Sequence, residues 1–310
     1  MLLWFIIKNR ALIGEKIEPF LYKFEQKYSK TIFNRRYGDG IDVMDKDWDN
    51  MVILDACRLD AFSEFNKIDG ELKKVVSRGN HSKSFIDKNF AGRNLHDTIY
   101  ITANPFVERI SGDVFFKVYY SNLFDEWDES LNTIPPEAVV EAAINMNRQY
   151  PNKRIIAHMM QPHAPYIGPT GKELYKRYKF GLFNHSVKKN SDFDIPNVSI
   201  PQAMQDGSIK QHELRQAYEE NVQIALRHAE CLIEKLGGKS VITADHGELL
   251  GERVLLKKRY SHGRFHTPEL RVVPWLIVDA DERRNITSGS PKSFENLDRR
   301  ETHLEALGYK

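Results

Sequence analysis

The chain has 310 residues, and its 45 basic and 43 acidic side chains leave a formal charge of only +2. So small an excess demands no nucleic-acid partner, and no zinc-finger or Walker-type sequence is present. Two cysteines far apart in the sequence make no disulfide framework, so reduced thiols in a cytoplasmic protein are expected. The length suits one large α/β domain or two small ones, and no internal repeat or low-complexity tract is present.

The N-terminus, Met1-Leu-Leu-Trp-Phe-Ile-Ile-Lys8, is apolar but too short to span a bilayer. It lacks the basic n-region and cleavage site of a signal peptide. With Leu12, Ile13, Ile17, Phe20 and Leu21 it predicts an amphipathic helix. Such a helix either packs on the domain or makes a peripheral contact with a membrane surface or a partner. Residues 1–45 are thus expected to form an N-terminal helical segment. Next, the run Met51-Val-Ile-Leu-Asp55 reads as a strand ending in a carboxylate, with helical spacing after it. Cys57 packs the strand–helix turn on this reading. Arg58, one turn past Asp55, has two readings: a bidentate grip on a phosphate or sulfate substrate, or a pair with Asp60.

Further along, Ser77-Arg-Gly-Asn-His-Ser-Lys-Ser-Phe85 lies between Val75-Val76 and a helix beginning near Lys83. A strand end falls at Ala103-Asn104 and a helix over Pro136–Arg148. A strand from Arg154 then enters Gln161-Pro-His-Ala-Pro-Tyr166, where prolines on both sides hold His163 in a fixed direction. His158, within that strand, reads as a core histidine. Residues 168–210 are long, polar and aromatic (Tyr175, Tyr178, Phe180, Phe183). They predict an insertion that serves as a lid or as a peripheral loop. Over His212–Leu236 the apolar Leu214, Ala217, Val222, Ala225, Leu226, Cys231 and Ile233 recur at helical spacing, as core packing requires.

The run Ser240 to Ala244 stops at Asp245-His246-Gly247-Glu248. This delivers a carboxylate and an imidazole to the carboxyl end of a strand, where open α/β sheets bind their ligands. Oxygen beside nitrogen suits Zn²⁺ or Mn²⁺ better than Ca²⁺ or Mg²⁺. Lys257, Lys258, Arg259 and Arg264 make a cationic stretch that suits an anionic substrate or a solvated loop. Val272–Val278 reads as a last strand, placed near an edge by Pro274. Strands alternating with helices predict a mostly parallel central sheet with helices on both faces, over 46–280. A charged C-terminal tail, 281–310, follows.

Together, Leu54-Asp-Ala-Cys-Arg58 and Ala244-Asp-His-Gly-Glu248 resemble the alkaline phosphatase superfamily. The closer resemblance is to its sulfatase-like branch of sulfatases, lipoteichoic acid synthases and phosphoethanolamine transferases, and it spans roughly Met51 to Asp279. It implies a metal-dependent hydrolase or transferase acting on phosphate mono- or diesters. Asp55, Asp245 and His246 would hold one divalent metal together with the nucleophile oxygen, for which Ser82 is chosen over Ser84 and Ser77. His163 matches the branch's His-x-Pro-Tyr turn and would assist catalysis. His262 or His266 would bind the transferred group or complete a second metal site, although no further Asp and His in the expected spacing supply the rest of one.

Neither Cys57, followed by Arg-Leu-Asp, nor Cys231, followed by Leu-Ile-Glu, fits the Cys/Ser-x-Pro-x-Arg sequence that formylglycine sulfatases require. A sulfatase is therefore the first alternative. A transferase modifying polysaccharide or lipid-linked glycan and a catalytically silent binding protein of the same fold are the others. Substrate identity and oligomeric state are left open by the sequence.

Overall fold

The computed structural model describes residues 14–110, 113–177, 199–255 and 257–292. A long helix, α1 (Gly14–Tyr37), precedes the first strand, β1 (Asn50–Asp55). There follow α2 (Leu59–Phe65), β2 (Glu71–Val76), α3 (Ser82–Asn89), β3 (Leu95–Thr102), a 3-10 turn (Pro105–Arg109) and β4 (Phe115–Tyr119). The second half holds α4 (Pro136–Gln149), β5 (Arg154–Pro162), α5 (Pro169–Arg177), α6 (Ile200–Gln205), α7 (Gln211–Leu236) and β6 (Ser240–Thr243). A small hairpin of β7 (Leu250–Val254) and β8 (Lys257–Tyr260), the short α8 (Pro268–Arg271) and β9 (Val272–Val278) close the order.

Seven strands form one sheet in the order β2-β9-β6-β1-β5-β3-β4. Pairing is parallel from β6 through β4, and β9 is antiparallel to both of its neighbours. All six residues of β1 and all four of β6 are buried. Alternate side chains point to opposite faces, so both faces of the central strands are covered, as continuous apolar runs require. On one side α7 packs against α4, β5 and β1, burying Leu214, Ala217, Val222, Ala225 and Leu226 as predicted, with Ala229 and Leu232 buried in place of Cys231 and Ile233, which are only partly so.

Two expectations change. Pro274 does not mark an edge, because β2 pairs outside β9 and makes it the second strand. The carbonyl of Pro274 still accepts from Thr243 Oγ1 at 2.7 Å. The second change concerns the segment after Asp279, expected as a charged tail. Up to residue 292 it is bonded across the amino ends of the strands. Arg283 pairs with Asp49, the Thr287 amide donates to Asn152, and the Gly289 amide donates to His96.

α1 packs on the domain: Phe33 is buried, Glu25 pairs with Arg259, and the Tyr22 and Phe265 rings lie 5.1 Å apart. Met1–Lys8, with Leu12 and Ile13, lies outside the described residues, as do Tyr178, Phe180 and Phe183 of the expected insertion. No helix among the described residues is long and apolar enough to cross a membrane.

Candidate functional site

The carboxyl ends of β1, β3, β5 and β6 converge, and each delivers a polar group. Asp55 is the last residue of β1 and Asp245 lies two past β6; both are buried. Directly after Asp55 the chain bends through Ala56 at φ 60°, a left-handed conformation that costs a non-glycine residue about 1–2 kcal/mol. Its partners fix it there: the Ala56 amide donates to Asp245 Oδ1 at 3.1 Å and its carbonyl accepts from the Tyr218 hydroxyl at 2.8 Å. The bend and the carboxylate pair are thus one construction.

Ser82 opens α3 and is nearly inaccessible. The helix is capped by His81, whose Nδ1 accepts from the Ser84 amide, so Ser82 is not the capping residue. Its hydroxyl stands 3.1 Å from Asp55 Oδ2 and 3.2 Å from His246 Nε2. The rival hydroxyls face elsewhere. Ser84 bonds Asn80 and the His81 carbonyl, and Ser77 donates to the Asp245 carbonyl.

His246 Nδ1 lies 2.7 Å from the Gly247 carbonyl. Donation there leaves Nε2 as a lone pair aimed into the cluster, 3.5 Å from both Asp55 Oδ1 and Asp245 Oδ2. Burial pushes the His246 pKa down to about 4, so the ring is neutral. Gly247 is needed for proximity more than for bending, since a Cβ there would lie 2.0 Å from the Glu269 carbonyl oxygen.

His158, which the sequence marks as a core residue, is buried beneath the same cluster. Its Nδ1 meets the Tyr100 hydroxyl at 2.8 Å, and its Nε2 lies 3.7 Å from Asp55 Oδ2 and 3.8 Å from Asp245 Oδ2. Asn104, which the sequence gave no role, donates from Nδ2 to Asp55 Oδ2 at 2.6 Å. Its only sequence cue was its place at a strand end.

Asp55 Oδ1, Asp245 Oδ2 and His158 Nε2 are all buried without a hydrogen-bond partner. Orphaned ligand atoms gathered at one point are costly unless something binds them. Donors on a tetrahedron with bonds of about 2.0–2.1 Å stand about 3.3 Å apart. His246 Nε2 stands 3.2 Å from Ser82 Oγ and 3.5 Å from both Asp55 Oδ1 and Asp245 Oδ2, three edges of about that length. The residues therefore fit a divalent cation. Burial and the adjacent Asp245 carboxylate drive the Asp55 carboxyl well above its ordinary range, so a bare pair resists carrying two negative charges.

Above this cluster lies a second one. His163, on the turn after β5, has its ring 4.9 Å from that of His262, which is 4.6 Å from His246. Asn221 of α7 pins this turn: its amide donates to the carbonyls of Pro162, His163 and Pro165, and its Oδ1 accepts from the Ile167 amide at 2.7 Å. His262 Nδ1 lies 3.4 Å from Glu248 Oε2. Burial works against the charged ring, but the Glu248 carboxylate outweighs it and raises the His262 pKa. Burial lowers His163 to about 4. Ligand atoms of His163, Glu248 and His262 lie within 4.8 Å of one another. Glu248 is the carboxylate that the sequence search for a second metal site lacked; it sits inside the Asp-His-Gly-Glu motif itself.

Two expected substrate residues point away. Arg58 is turned to Asp60 at 2.6 Å and Glu252 at 2.6 Å, and also donates to the Glu248 carbonyl. Its second reading, a pair with Asp60, is what forms, and Glu252 joins it, because a guanidinium buried this far from water needs carboxylate partners. His266 stands beside Arg271, 3.2 Å from Nη1, in a different cavity.

No family model matches the chain, and no curated protein matches it. Solved structures do. One is the C-terminal periplasmic domain of EcEptC from Escherichia coli in complex with Zn, at 15% identity over 78% of this chain and 76% of that one, with TM-score 0.48. Another is the soluble domain of lipooligosaccharide phosphoethanolamine transferase A from Neisseria meningitidis, at 12% over 75% and 76%, with TM-score 0.46. A 2-O GAG sulfatase matches at 11% over 83% and 70%, with TM-score 0.43. Likenesses of this order assign no residue its role.

The expected cytoplasmic setting finds no support in them, since the EcEptC domain is periplasmic by name. The two free thiols, Cys57 buried and Cys231 partly so, fit either compartment. By fold, this chain is similar to phosphoethanolamine transferases and sulfatases, the branch that its motifs resemble.

Proposed function

We propose that the chain is a metal-dependent phosphotransferase or phosphoester hydrolase with Ser82 as nucleophile. The observation that carries this reading is the convergence of three orphaned buried ligand atoms with the Ser82 hydroxyl and the free nitrogen of His246. Asp55, Asp245 and His158 offer ligand atoms within 4.8 Å of one another, and His246 and Ser82 Oγ, beside the same carboxylates, would complete the hold on the cation. When bound, a divalent cation supplies positive charge that lowers the pKa of the serine hydroxyl and offsets charge on a phosphoryl oxygen.

Asp55 Oδ2 and Asn104 fix the Ser82 hydroxyl in direction, and the amino end of α3 favours negative charge beside it. The Ser82 oxygen, its proton passing to Asp55 Oδ2, would attack phosphorus and form a phosphoserine ester as the bond to the leaving alcohol breaks. His262, whose pKa the Glu248 carboxylate raises, would give a proton to that alcohol. His163, neutral, would orient the ester. Water or an acceptor alcohol then displaces the serine.

The absence of a Cys/Ser-x-Pro-x-Arg sequence at Ser82 disfavours sulfate-ester hydrolysis. The test is bound-metal analysis with turnover of p-nitrophenyl phosphate, bis-phosphate and sulfate esters. Metal present, with phosphate-ester turnover lost in Ser82→Ala, is the expected result. Metal retained without turnover on any ester points to a transferase lacking its acceptor. Absence of both metal and turnover overturns the reading and leaves a binding protein on this fold.

A further inference from the structure

A cavity of about 390 Å³, apart from the metal-ligand cluster, is lined by Lys30, Asn34, Asp39, Arg78, Lys88, His266 and Arg271. Its chemistry is one-sided. Four of the seven lining residues carry fixed positive charge, and Asp39 is the only acid. Arg78 already shares Asp42 with Arg93. Arg271 is the most telling member, because it is buried and its guanidinium meets only neutral acceptors. These are the Ser77 carbonyl from Nε and Nη2, the Asp39 carbonyl from Nη2, and Asn34 Oδ1 and His266 Nδ1 from Nη1. Among the described residues no carboxylate pairs with it. A buried cation with no carboxylate bonded to it is costly, and the Asp39 carboxylate, which favours its charge through space, does not make up for burial. Burial, with Arg271 next, brings His266 down to about 3, and burial brings Arg271 itself down to about 10.

An anion in the cavity would relieve all of these at once. We infer that this cavity is a binding site for a phosphorylated anion, held by Lys88, Lys30 and Arg78, with the positive charge of Arg271 behind them. The volume lies in the range of small-molecule sites and exceeds what a bare phosphate fills, so the phosphate belongs to a larger organic body. The lysines and Arg78 supply the donors, while Arg271, whose five N–H groups are already bonded within the protein, supplies charge alone. Two sources share this chemistry: a free organic phosphate and a phospholipid headgroup. The second is pertinent because α1, which lends Lys30 and Asn34, also exposes Phe20, Phe24, Tyr28 and Ile32 at four-residue spacing.

The inference is independent of the function proposed for Ser82, and the experiment keeps the two apart. Full-length protein treated with chelator is titrated with inorganic phosphate by calorimetry, and its sedimentation is measured with phosphatidylcholine vesicles with and without phosphatidic acid. The Lys30→Gln/Lys88→Gln double variant changes two exposed side chains and should fold; its Tm checks this. Phosphate binding weakened at least tenfold in the double variant, and unchanged in Ser82→Ala, is the expected result. Binding of phosphatidic acid vesicles that is lost in the double variant supports the site and names the headgroup as its source. Phosphate binding alone names a free ligand. No binding of either probe, or binding that survives in the double variant or is lost in Ser82→Ala, overturns the proposal.

Discussion

Ser82 and Ser84 are two residues apart on one short helix, yet only Ser82 reaches the carboxylates. Ser82→Ala should therefore lower turnover by three or more orders of magnitude while leaving Tm nearly unchanged, and Ser84→Ala should stay within a few-fold of wild type; parallel kinetics and thermal melts distinguish them. Asn104 acts one step removed, through Asp55. Its replacement by Ala leaves Asp55 Oδ2 without its 2.6 Å donor, and metal affinity should fall about 10–100-fold, read by competition with a chromogenic chelator.

His262 gives a pH prediction. Its folded-state pKa is raised, so the protonated ring persists to higher pH than in a free histidine. Turnover that needs this proton is fully present at low pH within the folded range and falls as pH rises through the His262 value. His262→Asn should remove that descending limb from the kcat profile. A profile with the limb intact would exclude His262 as the acid.

Elements, more than residues, set where these groups stand. α7 is the main support, for Tyr218 clamps the Ala56 bend and Asn221 pins the turn that carries His163. Asn221→Ala would leave three carbonyls and the Ile167 amide short of a partner inside the protein, and should cost about 2–4 kcal/mol. A fall in Tm accompanied by a raised KM is the expected readout; a change within error in both would contradict this role. Helix boundaries, the strand ends and the Asp-His motif were legible in the sequence because apolar periodicity and abrupt polar stops are local signals. His158 and Asn104 were not legible, since a polar residue beside a strand end looks the same whether it faces a core, a carboxylate or solvent. His266 was misplaced, and Arg58 was left between two readings, for a related reason: spacing from a motif says which turn a side chain leaves, not which partner it finds. Pro274 misled because an edge was inferred before the extra strand β2 could be seen outside it.

Across the whole molecule, the two ends of the sheet carry different duties. Functional groups crowd the carboxyl ends, and the amino ends are closed by Asp49, Arg283 and Arg284. Burial alone would raise the Asp49 carboxyl, but hydrogen bonds from Arg283 and the Lys239 amide hold it below its ordinary value. A depressed carboxylate lends stability that is present above the unfolded pKa of about 3.9 and is lost as pH falls through the folded value. Asp49→Asn should thus lower Tm at pH 7, with the deficit shrinking below about pH 4. A deficit independent of pH would show that packing, not charge, is what was lost.

The placing of β1 at the centre has a consequence for synthesis. β1 finds one neighbour in β5 and the other in β6, and the Ala56 amide bonds a carboxylate 189 positions further along the chain. A nascent chain emerging from the ribosome holds Asp55 and Ser82 long before Asp245 and His246 exist. The first half of the metal cluster must wait, with one flank of its strand unpaired, until the last quarter of the chain is made. Metal capture would then be a late event that reports completion, and ribosome-stalled chains ending before Ser240 should retain no metal.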